Sequence, residues 1–157
     1  YTTYDGFATS VFWIQSKEGK PFEENRLDKL HLMIDEALKG QINARDVLKE
    51  KGKIKNKEKD FIVPTNITFD NEGSEIYTII EIETRDRLGL LYDLAKTLSN
   101  NYISISSAII ATFGEQAVDT FYVKDLFGLK LHSLNKREKL EKKLKEAIQA
   151  GNLVGSN

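Results

Sequence analysis

Between residues 76 and 84 apolar and polar positions alternate, with Ile76, Thr78, Ile80 and Ile82 on one side and Tyr77, Ile79, Glu81 and Glu83 on the other. A period of two in a run this rich in β-branched residues predicts a strand buried mainly on one face. The period then changes. After Arg85-Asp86-Arg87, apolar residues recur at helical spacing as Leu88, Leu91, Leu94, Ala95 and Leu98, with Asp86 or Arg87 at the helix start and Asn100-Asn101 as its stop. Two more strands, 103–112 and 117–125, flank Phe113-Gly114-Glu115-Gln116, which has the chemistry of a hairpin turn. A Lys/Glu-rich helix over 135–150 follows, its Leu140, Leu144, Ala147 and Ile148 forming one apolar face.

Strand, helix, strand, strand, helix predicts an α+β chain of the ferredoxin-like βαββαβ type that lacks one strand. Residues 61–69, with Ile62, Val63, Ile67 and Phe69, are the candidate. They precede Asp70-Asn71-Glu72-Gly73, a strong turn signal, so they are expected to pair antiparallel with 76–84. Pro64 cannot donate to a ladder, which puts this strand at a sheet edge.

The chain also repeats itself. Thr3-Tyr4, Ala8 and Val11-Phe12-Trp13-Ile14 recur 109 positions later as Thr112-Phe113, Ala117 and Thr120-Phe121-Tyr122-Val123. After a one-residue slip, Leu30, Ile34, Ala37 and Leu38 match Leu140, Leu144, Ala147 and Ile148. The second copy is preceded by a strand, helix and strand for which the first copy has no room. The expectation is that residue 1 lies inside a domain and that the natural protein extends further toward the N-terminus. The expected organisation is the latter part of a first domain over 1–40, a Lys-rich linker over 41–60, a second domain over 61–150 and a tail over 151–157. Without its central strand the first repeat would leave Phe12, Ile14, Leu30 and Ile34 unpartnered, so self-association is expected. Trp13 and Tyr122 hold equivalent places and are expected to pack in a core or interface.

Lys and Arg number 23 against 24 Asp and Glu, so no global field draws in nucleic acid or an anionic membrane. The absence of Cys removes disulfides, thiolate nucleophiles and sulfur-ligated metals, and it agrees with a cytoplasmic location. No run approaches the roughly 20 apolar residues of a membrane span. His31 and His132 have no clustered partners, so neither a metal site nor a cofactor is expected, and no residue is a catalytic candidate. The alternating Lys49, Lys51, Lys53, Lys55, Lys57 and Lys59 are diluted by Glu50, Glu58 and Asp60 and read as a solvated linker rather than a nucleic-acid contact.

Chemistry concentrates at Glu83-Thr84-Arg85-Asp86-Arg87-Leu88-Gly89-Leu90-Leu91, where a strand turns into a helix whose first N–H groups form an anion-binding end. A carboxylate ligand would suit it. Asp86 can accept from an amine, Arg87 can offer a fork, and Gly89 admits close approach. The plain alternative is that Asp86 caps, Gly89 packs and Arg87 is solvated.

With Ile79-Ile80-Glu81-Ile82 ahead of it and residues 105–123 continuing the pattern, this stretch resembles the first strand and ligand loop of an ACT domain. Asp125-Leu126-Phe127-Gly128, the Asp70-Asn71 joint and Thr2-Thr3-Tyr4-Asp5-Gly6-Phe7-Ala8 in the first repeat extend the resemblance to nearly the whole chain. It is similar to the C-terminal tandem ACT region of bifunctional uridylyltransferase/uridylyl-removing enzymes, which modify PII signal proteins. The resemblance implies a glutamine-sensing module, itself without catalytic activity, that regulates upstream nucleotidyltransferase and hydrolase domains dependent on a divalent metal such as Mg. It implies ligand contacts from Asp86, Arg87, Leu88, Gly89 and Leu90, with Ser104 and Ser106 from a neighbour's second strand. The alternative is a ligand-free ACT-like docking or oligomerisation module.

Overall fold

The computed structural model describes residues 2–4, 7–9, 11–14, 20, 21, 23–43, 46, 47 and 63–154. They fall in two units, Tyr1–Ile54 and Lys55–Asn157. Most of the expected Lys-rich linker, with residues 61, 62 and 155–157, lies outside the described residues.

In the first unit β1 (Thr2–Tyr4) and β2 (Phe7–Thr9) form a short antiparallel hairpin that pairs Tyr4 with Phe7, Thr3 with Ala8 and Thr2 with Thr9. Helix α1 (Glu24–Leu38) follows, and it has no buried residue. Val11–Ile14, the repeat counterpart of strand residues 120–123, has no regular structure, and its four apolar side chains are exposed, Trp13 to 90%. Trp13 is therefore not a core residue of this chain. The equivalent residues 120–123 are held in a strand by ladders on both sides; among the described residues no strand pairs with 11–14.

The second unit contains β3 (Asn66–Asp70), β4 (Thr78–Arg85), α2 (Leu90–Asn100), β5 (Ser104–Phe113), β6 (Gln116–Lys124) and α3 (Leu134–Val154). Its sheet runs β3-β4-β6-β5, antiparallel throughout. This is the ferredoxin-like arrangement, with β3 supplying the missing strand at the edge beside β4. The hairpin of β5 and β6 pairs Phe113 with Gln116, Thr112 with Ala117 and Ala111 with Val118. Each of those residues lies 109 positions after its counterpart in β1 and β2, so the sequence repeat is also a repeat of register. Gly114 takes φ 63° in the turn, at the first central position where a type II′ hairpin needs glycine.

Both helices cover one face of the sheet. Ile80 and Ile82 of β4, Ala117, Phe121 and Val123 of β6, Leu90, Leu94 and Leu98 of α2, and Leu140, Leu144 and Ile148 of α3 form the core. Several predicted boundaries move: β3 starts at Asn66, so Pro64 lies outside the strand, and β5 and β6 each shift by a residue. Ser74 Oγ accepts from the N–H groups of Ile76 and Tyr77 at 3.4 and 3.2 Å, a local turn that keeps both residues out of the ladder, so β4 starts at Thr78. Helix α2 starts at Leu90 rather than at Asp86 or Arg87, and its buried stripe is Leu90, Leu94 and Leu98, leaving Leu88 and Leu91 exposed. Helix α3 runs through 151–154 of the expected tail. Among the described residues no helix is long and apolar enough to cross a membrane.

Candidate functional site

The segment between β4 and α2 is built by two local events. The N–H of Asp86 donates to Glu115 O at 2.7 Å, extending the ladder one residue beyond β4 and fastening the chain to the β5–β6 turn. Arg85 reinforces this by facing Glu115 Oε2 at 3.3 Å. Gly89 then takes φ 83° at the N-cap of α2, a left-handed conformation natural to glycine, and no side chain caps the helix. The Leu90 N–H donates to Arg87 O at 3.2 Å, and the rest of the helix's positive pole is left without a side-chain acceptor; Asp86, three residues earlier, is exposed.

Arg87, the expected ligand fork, makes contacts within the chain. Its Nη2 sits 2.7 Å from Asp93 Oδ2 and 3.3 Å from Ala147 O, and its Nη1 donates to Leu88 O at 3.3 Å. Asp86 and Arg87 do not cap α2 either. Arg87 instead joins the loop to both helices, and only its buried Nε lacks an acceptor. The side chain is aimed inward because Asp93 lies one turn into α2 and Gly151 of α3 leaves room: a Cβ at 151 would fall 1.9 Å from Arg87 Nη2.

Asp119 is the residue that sequence reading passed over. It lies on the helix-facing side of β6, in register with Ile82 and Ile110, and is 2% exposed. Of the buried polar side chains, Thr78 bonds Asn71 and the Leu131 N–H, and Thr84 bonds Thr65. Asp119 Oδ1 has no partner. Burial, and then the negative charge of Asp86, push its carboxyl up to about 6 from an ordinary 3.8. The signal available in the sequence was an acidic residue at an inward position of an alternating strand, Ala117, Asp119, Phe121, Val123. Its packing partners were not legible there.

Ser104 and Ser106 are not near this loop within one chain. Ser104 pairs with Lys124 and the β5–β6 bulge falls at Ser106, whereas the loop stands beside Phe113 and Gln116 at the other end of β5, roughly 30 Å from Ser104 and roughly 23 Å from Ser106 at about 3.3 Å per residue. Leu88 is exposed at the loop and Leu90 is buried in the core. His31 and His132 are exposed. Among the described residues no three His, Asp or Glu side chains come together as a metal would require. Tyr122 packs edge-on against Tyr77, ring centres 6.3 Å apart, unlike its repeat counterpart Trp13.

Comparison with known proteins agrees with this architecture. The chain is 62% identical over 151 residues to the bifunctional uridylyltransferase/uridylyl-removing enzyme of Cereibacter sphaeroides, 60% identical to that of Ruegeria pomeroyi and 42% identical to that of Azospirillum brasilense. These matches take in 96%, 96% and 94% of this chain but span 16%, 17% and 16% of the relatives' lengths. No solved structure matches. The family described as the ACR9-like, ACT-like domain matches residues 66–153, the sheet and both helices of the second unit, and to that ACT-like family this chain belongs.

Proposed function

We propose that the second unit is a regulatory amino-acid sensor, that glutamine is its ligand, and that it serves as the control region of a PII-modifying uridylyltransferase/uridylyl-removing enzyme in the cytoplasm. The observation that carries the reading is the combination of a helix N-terminus at Gly89 without a side-chain cap and two repelling carboxyl groups, Asp86 and Asp119, one of which has an unsatisfied oxygen. A zwitterion answers both halves. Its carboxylate meets the helix end, and its ammonium group relieves the repulsion between the two acids. Arg87 serves as the strut of this loop, and Leu88 and Gly89 form its wall.

In this reading Ser104 and Ser106 come from a second copy. β5 is an edge strand with exposed residues on both faces, and an antiparallel pairing of two such edges would carry the Ser104 end of one copy toward the loop end of the other. Sensing would then be coupled to association, and through it to the catalytic domains and their metal, which is allostery between distinct sites. The exposed edge also favours the second reading, a ligand-free docking or oligomerisation module.

Thermal unfolding with glutamine, glutamate and a panel of other amino acids separates the two. A ligand at one hundred times its dissociation constant adds about 2.7 kcal/mol to stability. Selective stabilisation by glutamine that disappears in Asp86→Ala and Gly89→Val is expected; silence across the panel would leave the docking module.

A further inference from the structure

At the end of the second unit away from the 86–89 loop, a cleft of about 580 Å³ opens between the close of α2, the exit of β6 and the flank of α3. That volume lies within the range of small-molecule sites. Its floor includes the buried Leu131 and Leu140, while Tyr102 and Phe127 stand at its lip, 71% and 76% exposed.

Both aromatic side chains are held there by specific backbone structure. Helix α2 ends with the Tyr102 N–H on Ser99 O and the Ile103 N–H on Leu98 O, both at 3.0 Å, and Tyr102 takes φ 60°. That is the position at which helices usually place glycine, because a Cβ is disfavoured in the left-handed region. A tyrosine stands there without burial to offset it. Phe127 is presented by a tight turn in which Asp125 Oδ1 accepts from the N–H groups of Phe127 and Leu129 at 2.9 and 3.0 Å. Asp125 Oδ1 is thereby occupied. Lys136, Lys139, Lys142 and Lys143 line the same cleft against Asp125 and Glu146, so the rim is net basic, and Lys143 Nζ is anchored 2.8 Å from Asn101 Oδ1.

We propose that this cleft binds a nucleotide, with the base against Tyr102 and Phe127 and the phosphates on Lys136, Lys139 and Lys143. Exposed aromatic faces accept any planar heteroaromatic ring, and lysine ammonium groups accept phosphate as point charges. A ligand with both parts uses the apolar floor and the basic rim together, where an amino acid or a bare anion would use one. The inference is independent of the amino-acid site.

The test is calorimetric titration of the 157-residue chain with UMP, UTP and ATP, beside uridine and pyrophosphate as half-ligands. A nucleotide is expected to bind about tenfold or more tightly than either half-ligand, and more weakly as salt rises. Tyr102→Gly, which suits φ 60°, is expected to keep or raise the unfolding temperature while weakening nucleotide binding about tenfold. Lys139→Glu with Lys143→Glu should weaken it further and leave glutamine stabilisation unchanged. The proposal is overturned if no nucleotide binds, if Tyr102→Gly binds as wild type does, if pyrophosphate binds as tightly as UTP, or if a poly-glutamate peptide binds and nucleotides do not.

Discussion

Arg87 Nη2 lies 2.7 Å from Asp93 Oδ2, so the loop that leaves β4 is tied to the first turn of the helix it feeds. Both side chains are mostly shielded from solvent, and the same guanidinium reaches Ala147 O of α3 at 3.3 Å. Replacing Arg87 with Ala leaves Asp93 without its cation and Ala147 O without this donor. A loss of about 2 kcal/mol is expected in urea unfolding. An unchanged midpoint would show that the strut is not structural.

Gly151→Ala tests the same contact from the other side. In a helix interior this change ordinarily adds about 1 kcal/mol of stability. Here the new Cβ would sit 1.9 Å from Arg87 Nη2 and displace the guanidinium from its partners. The ordinary gain is expected to vanish; a rise of several degrees in unfolding temperature would contradict the packing described.

Asp119 gives the fold a pH dependence of defined sign. Its carboxyl is raised to about 6 in the folded chain from 3.8, so between those values the folded state binds the proton more tightly. Stability therefore falls as pH rises through that window and stays lower above it. Asp119→Asn should remove this slope. The variant is expected to match wild type near pH 4 and to exceed it above pH 6 by at most about 3 kcal/mol. Parallel stability profiles would sink the assignment. If an ammonium group rests on this carboxyl, ligand affinity should also strengthen as pH rises through 6.

Thr78 Oγ1 donates to Asn71 Oδ1 at 2.6 Å and accepts the Leu131 N–H at 2.8 Å, joining the β3–β4 turn to the lead-in of α3. Thr78 is fully buried. Thr78→Val keeps the shape and strands both partners, so a cost of about 1–3 kcal/mol is expected in chemical denaturation.

Association is expected at the β5 edge, where Ile109 and Ile110 are exposed, and at the apolar 11–14 segment. Sedimentation should show a dimer or larger species, reduced by Ile109→Lys with Ile110→Lys. A concentration-independent monomer would remove the neighbour from the sensing proposal.

Local patterning was enough for much of the second unit. Alternation of apolar residues defined β4, helical spacing defined α3, and Gly114-Glu115 marked the hairpin of β5 and β6, because each signal is contained within a few residues. The joining of β3 to β4 was legible for the same reason, with Asp70 Oδ1 accepting the N–H groups of Glu72 and Gly73 within the turn itself. The 109-residue repeat even carried register, since paired residues in a hairpin are close in sequence.

What the sequence by itself determined, then, was the order and period of the elements and the loop where chemistry gathers. Tertiary structure alone decided which side chains that loop keeps for itself. Arg87 ties its loop to both helices because Ala147 and Gly151, some 60 residues later, supply an acceptor and space. Asp119 becomes an unsatisfied buried acid because α2 and α3 close the core over the face it occupies. Val11–Ile14 keeps a strand's sequence without a strand's neighbours. Propensity is local, whereas burial, pairing and the cost of an unpartnered polar atom depend on residues that only the fold brings close.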